Sequence, residues 1–118
     1  MTPRLARLAV AAVAAAALLL VTAPGAGAAR DCKPPDYPGS GYFTSLSVKS
    51  TSCAKGKKLA RAYYRCRTES GGKRGRCNRR VMRYSCTEKR QSIATELNAL
   101  VRCKRGAKRI THAYQQNL

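Results

Sequence analysis

The chain has 118 residues, and its 24 Lys and Arg stand against five Asp and Glu and one His, a formal net charge of +19. That length holds one small domain, too small for its hydrophobic core alone to carry the fold, the more so against self-repulsion of this size. The class this excludes is a large enzyme or multidomain scaffold; the class it favours is a stapled, basic domain with anionic partners.

Residues 1–29 read as a secretory signal peptide. Arg4 and Arg7 form the positive start, Leu8 to Val21 are uninterrupted apolar residues, and Ala26-Gly27-Ala28 offers an A-x-A cleavage site, with Gly27-Ala28-Ala29 as the alternative. Against an uncleaved anchor, the apolar run falls short of the roughly 20 residues a bilayer needs, and Pro24 and Gly25 follow it. Arg30 and Asp31 before Cys32 do not fit a lipid-attachment box. Cleavage leaves 22 basic and five acidic side chains, a charge of +17, with no later segment able to cross a membrane. The expected location is extracellular.

The lead-in at 30–41, with Pro34, Pro35, Pro38, Gly39 and Gly41, is expected to be irregular and held only by Cys32, and 42–118 to form a single domain. Tyr42 to Lys49 alternates Thr44, Leu46 and Val48 against Ser45 and Ser47, the pattern of a half-buried strand. The next stretch, Ser52 to Cys66, is the centre of the chain. Leu59, Ala62, Tyr63 and Cys66 fall at i, i+3, i+4 and i+7 on one helical face, Ser52 or Thr51 can cap the start, and Lys58, Arg61 and Arg65 form a basic stripe on another side. Glu69 to Arg76 reads as a flexible loop. It lacks a GKS or GKT ending and a preceding strand, so it is no phosphate-binding P-loop.

Arg80 to Thr87 alternates Met82, Tyr84 and Cys86 against Arg83 and Ser85, which predicts a second strand. Ser92 to Val101 fits helical spacing through Ile93, Leu97, Leu100 and Val101, yet its end runs into a hairpin: Leu100 to Lys104, a turn at Arg105-Gly106, then Ala107 to Gln115. Such a turn would set Val101 opposite Ile110 and Cys103 opposite Lys108, with Ile110, His112 and Tyr114 sharing a face. The expected fold is α+β in the order β-α-β-β-β, one helix packed on a small, mainly antiparallel sheet and stapled by disulfides.

All six cysteines (Cys32, Cys53, Cys66, Cys77, Cys86 and Cys103) follow the signal, an even set that reads as three disulfides, each typically worth ~2–4 kcal/mol. Their gaps of 21, 13, 11, 9 and 17 contain no C-x-x-C pair and one His is available, which argues against zinc. No cofactor motif is present. Cys66 and Cys77 are the favoured local bridge, closing the Glu69–Arg76 loop, and Cys53 would then anchor the helix start to Cys86 or Cys103.

Taken together, Leu46-Ser47-Val48 with Ser52-Cys53-Ala54, the basic helix, Tyr84-Ser85-Cys86 and the run Val101-Arg102-Cys103-Lys104-Arg105-Gly106-Ala107-Lys108-Arg109-Ile110 resemble a group of small secreted proteins of high-GC actinobacteria. The resemblance implies export, the fold above and strand rather than helix before Cys103. It makes Cys66 and Cys77 an extra pair, which fits a bridge between them, and it implies no particular activity.

Charge is the strongest functional signal. Lys55, Lys57, Lys58, Arg61, Arg65 and Arg67 lie on and after the helix, Lys73, Arg74, Arg76, Arg79 and Arg80 follow, and Lys104, Arg105, Lys108 and Arg109 surround the last turn. From these, Lys55, Lys58, Arg61, Arg65, Arg74, Arg76, Lys108 and Arg109 are the candidate binding residues. The expected partners are extracellular polyanions: cell-wall polymers, acidic lipid headgroups or nucleic acid. The competing reading is a merely soluble surface rich in Arg. Tyr63 and Tyr84 belong to core faces, leaving Tyr64 free to stack on a base.

Catalysis finds little support. A ribonuclease-like set of Glu88 or Glu96, His112 and an arginine can be imagined, but no spacing ties them together, and His112 reads as a partly buried strand residue. No G-x-S-x-G is present and the cysteines are paired. The alternative to polyanion binding is a stapled domain presenting loops to a protein, as inhibitors, toxins and antimicrobial proteins do.

Overall fold

In the computed structural model the described residues are 11–17 and 27–118, so the signal-peptide reading of 1–29 lies largely outside them. The elements in chain order are β1 (Arg30–Asp31), β2 (Gly41–Lys49), α1 (Cys53–Gly71), a 3-10 turn (Gly72–Arg74), β3 (Ser85–Ser92), β4 (Glu96–Arg105) and β5 (Lys108–Asn117). The strands form one antiparallel sheet in the order β1-β2-β5-β4-β3, with α1 on one face. This is a small, disulfide-stapled α+β domain.

The helix begins where its cap predicts. The Ser52 hydroxyl accepts from the Lys55 amide at 3.1 Å, satisfying a donor the first turn leaves open. Gly56, Leu59, Ala60, Tyr63, Cys66 and Arg67 are buried against the sheet; Ala62, expected on that face, is only half-buried. Gly56 brings the helix down onto β2: a Cβ there would stand 2.7 Å from Val48 Cγ1. The helix runs past Cys66 to Gly71 and stops at Gly72, whose φ is +65°. The expected flexible loop at Glu69–Arg76 is therefore mostly helix and 3-10 turn.

The core lies between helix and sheet. Leu46 and Val48 of β2, Ile110 and Tyr114 of β5, and Leu97, Val101 and Cys103 of β4 meet Leu59, Tyr63 and Cys66 of α1. Val81 and Tyr84 close it from the connection before β3, which departs from the expected strand. Val81 and Tyr84 exchange backbone hydrogen bonds of 3.1 and 2.8 Å around a two-residue turn in which Met82 and Arg83 both take positive φ. The alternation read across Arg80 to Thr87 thus spans a turn, and the strand proper starts at Ser85.

The ambiguity at Ser92–Val101 resolves as strand from Glu96, and the last hairpin forms with a register two residues from the expected one. Its loop is Gly106-Ala107, with Cys103 opposite Ile110 and Val101 opposite His112. Gly106 takes φ +56°, which a turn centred on Arg105-Gly106 would have imposed on an arginine. A slip of two keeps every face, so Ile110, His112 and Tyr114 still point together.

The bridges are Cys32–Cys53, Cys66–Cys77 and Cys86–Cys103. The local Cys66–Cys77 pair is as expected, whereas Cys53 turns back to Cys32. Cys86 and Cys103 are direct cross-strand partners on β3 and β4, which leaves neither for the helix start. The lead-in is more ordered than expected: Arg30 and Asp31 pair with Val48 and Ser47, and Tyr37 donates to Gln116 Oε1 at 2.7 Å.

Candidate polyanion-binding face

Beneath α1 the core holds a charged cluster. Arg67, counted among the surface cations by its sequence position, is fully buried. It donates to the Lys73 carbonyl and to Gln116 Oε1, each at 2.9 Å, and to the Tyr37 hydroxyl, and its guanidinium lies 4.2 Å from the Tyr114 ring centre. Tyr64 is not a free platform either; its ring packs 5.0 Å from Tyr37 and 5.2 Å from the Arg67 guanidinium. Glu88 accepts from Arg90 Nε at 2.6 Å, from the Tyr63 hydroxyl at 3.3 Å and from the Tyr114 hydroxyl, with Arg76 3.6 Å away. Arg90 in turn donates to the Arg74 and Gly75 carbonyls at 2.9 Å. Arg67 and Arg90 thus tie down the segment after the helix from below. Burial pushes the Tyr37 phenol up to about 12, and burial with the Glu88 contact raises Tyr63 and Tyr114 as well, so these hydroxyls serve as neutral donors.

His112 sits inside this cluster at 1% exposure, edge-on to Phe43 and Tyr63, and neither ring nitrogen has a hydrogen-bond partner. Burial first, and the Arg67 charge second, pull its pKa down to about 4. The ring is neutral near pH 7 and sealed from solvent. Glu96 lies across the sheet, accepting from Gln115 Nε2 at 2.6 Å. The imagined set of Glu96, His112 and an arginine is therefore split by the sheet, and in the Glu88 version the histidine has no open approach.

The other face of the sheet is different: among the described residues no helix covers it. Strand register sorts its outward residues into rows. At the hairpin end Lys49, Arg109, Lys104 and Ser85 stand directly opposite one another across β2, β5, β4 and β3. The next row is Ser47, Thr111, Arg102 and Thr87, then Ser45, Ala113, Leu100 and Lys89, then Tyr42, Gln115, Asn98 and Gln91. An open depression of about 340 Å³ is lined by Arg102, Lys104 and Arg109 with the hydroxyl residues Ser85, Thr87 and Thr111. Three cations side by side repel, and the hydroxyls between them donate to an anion. Cations and hydroxyl donors side by side are groups whose chemistry suits phosphate, sulfate or carboxylate.

The eight sequence-derived candidates fall on different sides of the molecule. Lys55, Lys58, Arg61 and Arg65 are exposed on the outer surface of α1. Arg74 and Arg76 are exposed on the segment tethered by Arg67 and Arg90, and Lys108 and Arg109 are at the last hairpin. Only Arg109 among them joins the uncovered face. Lys49, Lys89 and Arg102 were missed because their meeting depends on register, although the alternation of Leu100, Arg102 and Lys104 in one strand carried part of the signal.

Comparison of the chain with protein-family models, with curated proteins and with solved structures finds no match. Among the described residues no helix is long and apolar enough to cross a membrane, and no group of His, Cys, Asp and Glu is placed to hold a metal ion.

Proposed function

We propose that this is a secreted, non-catalytic domain that binds anionic polymers, and that the uncovered sheet face is the surface it uses. The observation that carries this is the row Lys49–Arg109–Lys104, with Arg102 one row further in, on a face that no helix or strand of the described residues covers. Neighbouring strands lie ~4.8 Å apart, so these charges are held at mutual cost until an anion neutralises them. Cell-wall polymers, lipid headgroups and nucleic acid all supply such anions. Three disulfides suit an oxidising compartment, in keeping with export. The stripe on α1 adds to the field that draws a polyanion in. The alternative of a protein-presenting domain rests on the segment held between Cys66–Cys77, Arg67 and Arg90, a pre-ordered surface with no chemistry that selects a target.

The test is retention of the oxidised chain on immobilised polyanion across a salt gradient. A sheet-face variant (Arg102→Glu, Lys104→Glu, Arg109→Glu) is compared with a helix variant of the same charge change (Lys58→Glu, Arg61→Glu, Arg65→Glu). The sheet variant should lose about 100-fold or more in affinity, and its salt slope should drop by about 2 to 3, one contact per lost cation. The helix variant should lose much less. Equal losses would show that net charge alone binds, and a larger helix loss would move the site to α1.

A further inference from the structure

The uncovered face is not uniform, and the end where carboxamides and an exposed ring gather points to the polymer's chemistry. Resting on the reading above, we propose that the polymer is a polysaccharide carrying spaced anionic groups, whose neutral sugar units lie on the row formed by Tyr42, Gln115, Asn98 and Gln91. Register sets these four directly opposite one another across four strands. Tyr42 is the aromatic of the row, 63% exposed on a sheet whose other aromatic side chains turn toward the helix. A second open depression, of about 380 Å³, takes in two members of the row, Gln91 and Asn98, with Thr44, Lys89, Arg90 and Leu100 beside them, while Tyr42 and Gln115 stand outside it.

Each part of that row suits a sugar. A phenol ring offers a flat face to the C–H side of a pyranose. Carboxamides both donate and accept, as sugar hydroxyls do, so a row of three can pair with several hydroxyls without a net charge. Gln115 is already fixed by its bond to Glu96, which holds one amide in place before a ligand arrives. Glu96 also puts a carboxylate at this end, so an anionic group is disfavoured here and favoured at the Lys49–Arg109–Lys104 row. The two rows are six residues apart along β5, about 20 Å, so a bound chain meets hydroxyl-matching and anion-matching groups in turn.

A nucleic acid fits this less well. Its phosphates recur at every nucleotide, and single-strand binding relies on several aromatic platforms beside the charges. Here a single ring stands at one end of the face, three rows from the Lys49–Arg109–Lys104 row, with Arg102 two rows away and Lys89 one.

The experiment measures binding of the oxidised chain to three probes: a polysaccharide alternating uronic acid with a neutral N-acetyl sugar, inorganic polyphosphate, and single-stranded nucleic acid. Tyr42→Ala combined with Asn98→Ala, both exposed positions, should weaken polysaccharide binding about tenfold or more while polyphosphate binding stays within about twofold. Arg102→Glu with Lys104→Glu should weaken both. Equal loss on both polymers, or no loss on either, from the Tyr42/Asn98 variant overturns the sugar row and leaves the charge reading standing. Indifference of both polymers to the Arg102/Lys104 variant overturns the charge reading itself. Nucleic acid held more tightly than the polysaccharide, and lost on Tyr42→Ala, reassigns the row to bases; no binding of the polysaccharide by the unaltered chain overturns the inference directly.

Discussion

His112 makes stability fall toward mild acid, and by an amount the structure sets. Its pKa is lowered from 6.5 to about 4 by burial and by Arg67, so below the ordinary value the unfolded chain takes a proton that the folded chain refuses. The stabilising term is complete above about pH 6.5 and is lost as pH falls toward 4. From pH 7.5 to 5 it costs one proton over about 1.5 units, or about 2 kcal/mol, a large fraction of a small domain's margin. With one histidine in the chain and its cysteines in disulfides, no other side chain has its ordinary titration range in that window. Urea unfolding with the disulfides intact, at fixed ionic strength and several pH values, reads the effect directly. His112→Phe keeps an aromatic ring against Phe43 and Tyr63 and removes the titrating group. It should flatten the profile between pH 5 and 7.5. A profile flat in the unaltered chain, or equally steep in His112→Phe, refutes the argument.

Gly56→Ala adds a methyl 2.7 Å from Val48 Cγ1, a short, stiff side chain with little room to move. The gain in helix propensity of about 1 kcal/mol is outweighed by overpacking of about 1–3 kcal/mol, so the urea midpoint should fall; a rise would mean the helix does not approach β2 so closely. Glu88→Ala removes the carboxylate that accepts from Arg90 Nε and from the hydroxyls of Tyr63 and Tyr114, leaving the buried Arg90 charge with backbone carbonyls alone to offset it, and should cost about 3–5 kcal/mol. A loss below about 1 kcal/mol would show the cluster is solvated in solution. At the alkaline end Tyr37, Tyr63 and Tyr114 hold their protons in the fold beyond the point where the unfolded chain releases them. Stability should therefore be lost as pH rises from about 10, at up to about 1.4 kcal/mol per unit per tyrosine. Far-UV circular dichroism followed from pH 8 to 12 checks this, and a fold unchanged at pH 12 contradicts it.

What the sequence made legible was local. The stripe through Leu59, Tyr63 and Cys66, the cap at Ser52, the alternation of β2 and the final hairpin each rest on contacts within a few residues. The Cys66–Cys77 bridge is of the same kind. Arg67 shows where this stops. It continues the buried stripe four residues after Tyr63, but its charge reads as a surface residue. Besides the nearby Lys73 carbonyl, it needs Tyr37 and Gln116, 30 and 49 residues away, to make its burial tolerable. The turn at Met82-Arg83 lacks the Gly or Asn that marks positive φ, so the alternation ran through it unbroken. The candidate face was hidden for a third reason: Lys49 is far along the chain from Arg102, Lys104 and Arg109, and a register read two residues off pairs Lys104 with Ala107 instead of Arg109.

The placement of the staples follows the same division of labour. All three bridges lie on the covered side or edge of the sheet: one joins the lead-in to the helix start, one the helix to the segment after it, and one β3 to β4 on the helix side. The core and the Arg67–Glu88–Arg90 cluster are on that side too. The uncovered face contributes hydroxyls, amides and cations, of which Arg109 donates to the Gly106 and Lys108 carbonyls, and the cations repel one another where they meet. The core and the proposed binding surface therefore lie on opposite faces of one sheet. Substitutions at Arg102 or Lys104 should relieve repulsion and leave the fold as stable or more so, while weakening polyanion binding. A face kept for folding would show the opposite: removing those charges would lower stability along with binding.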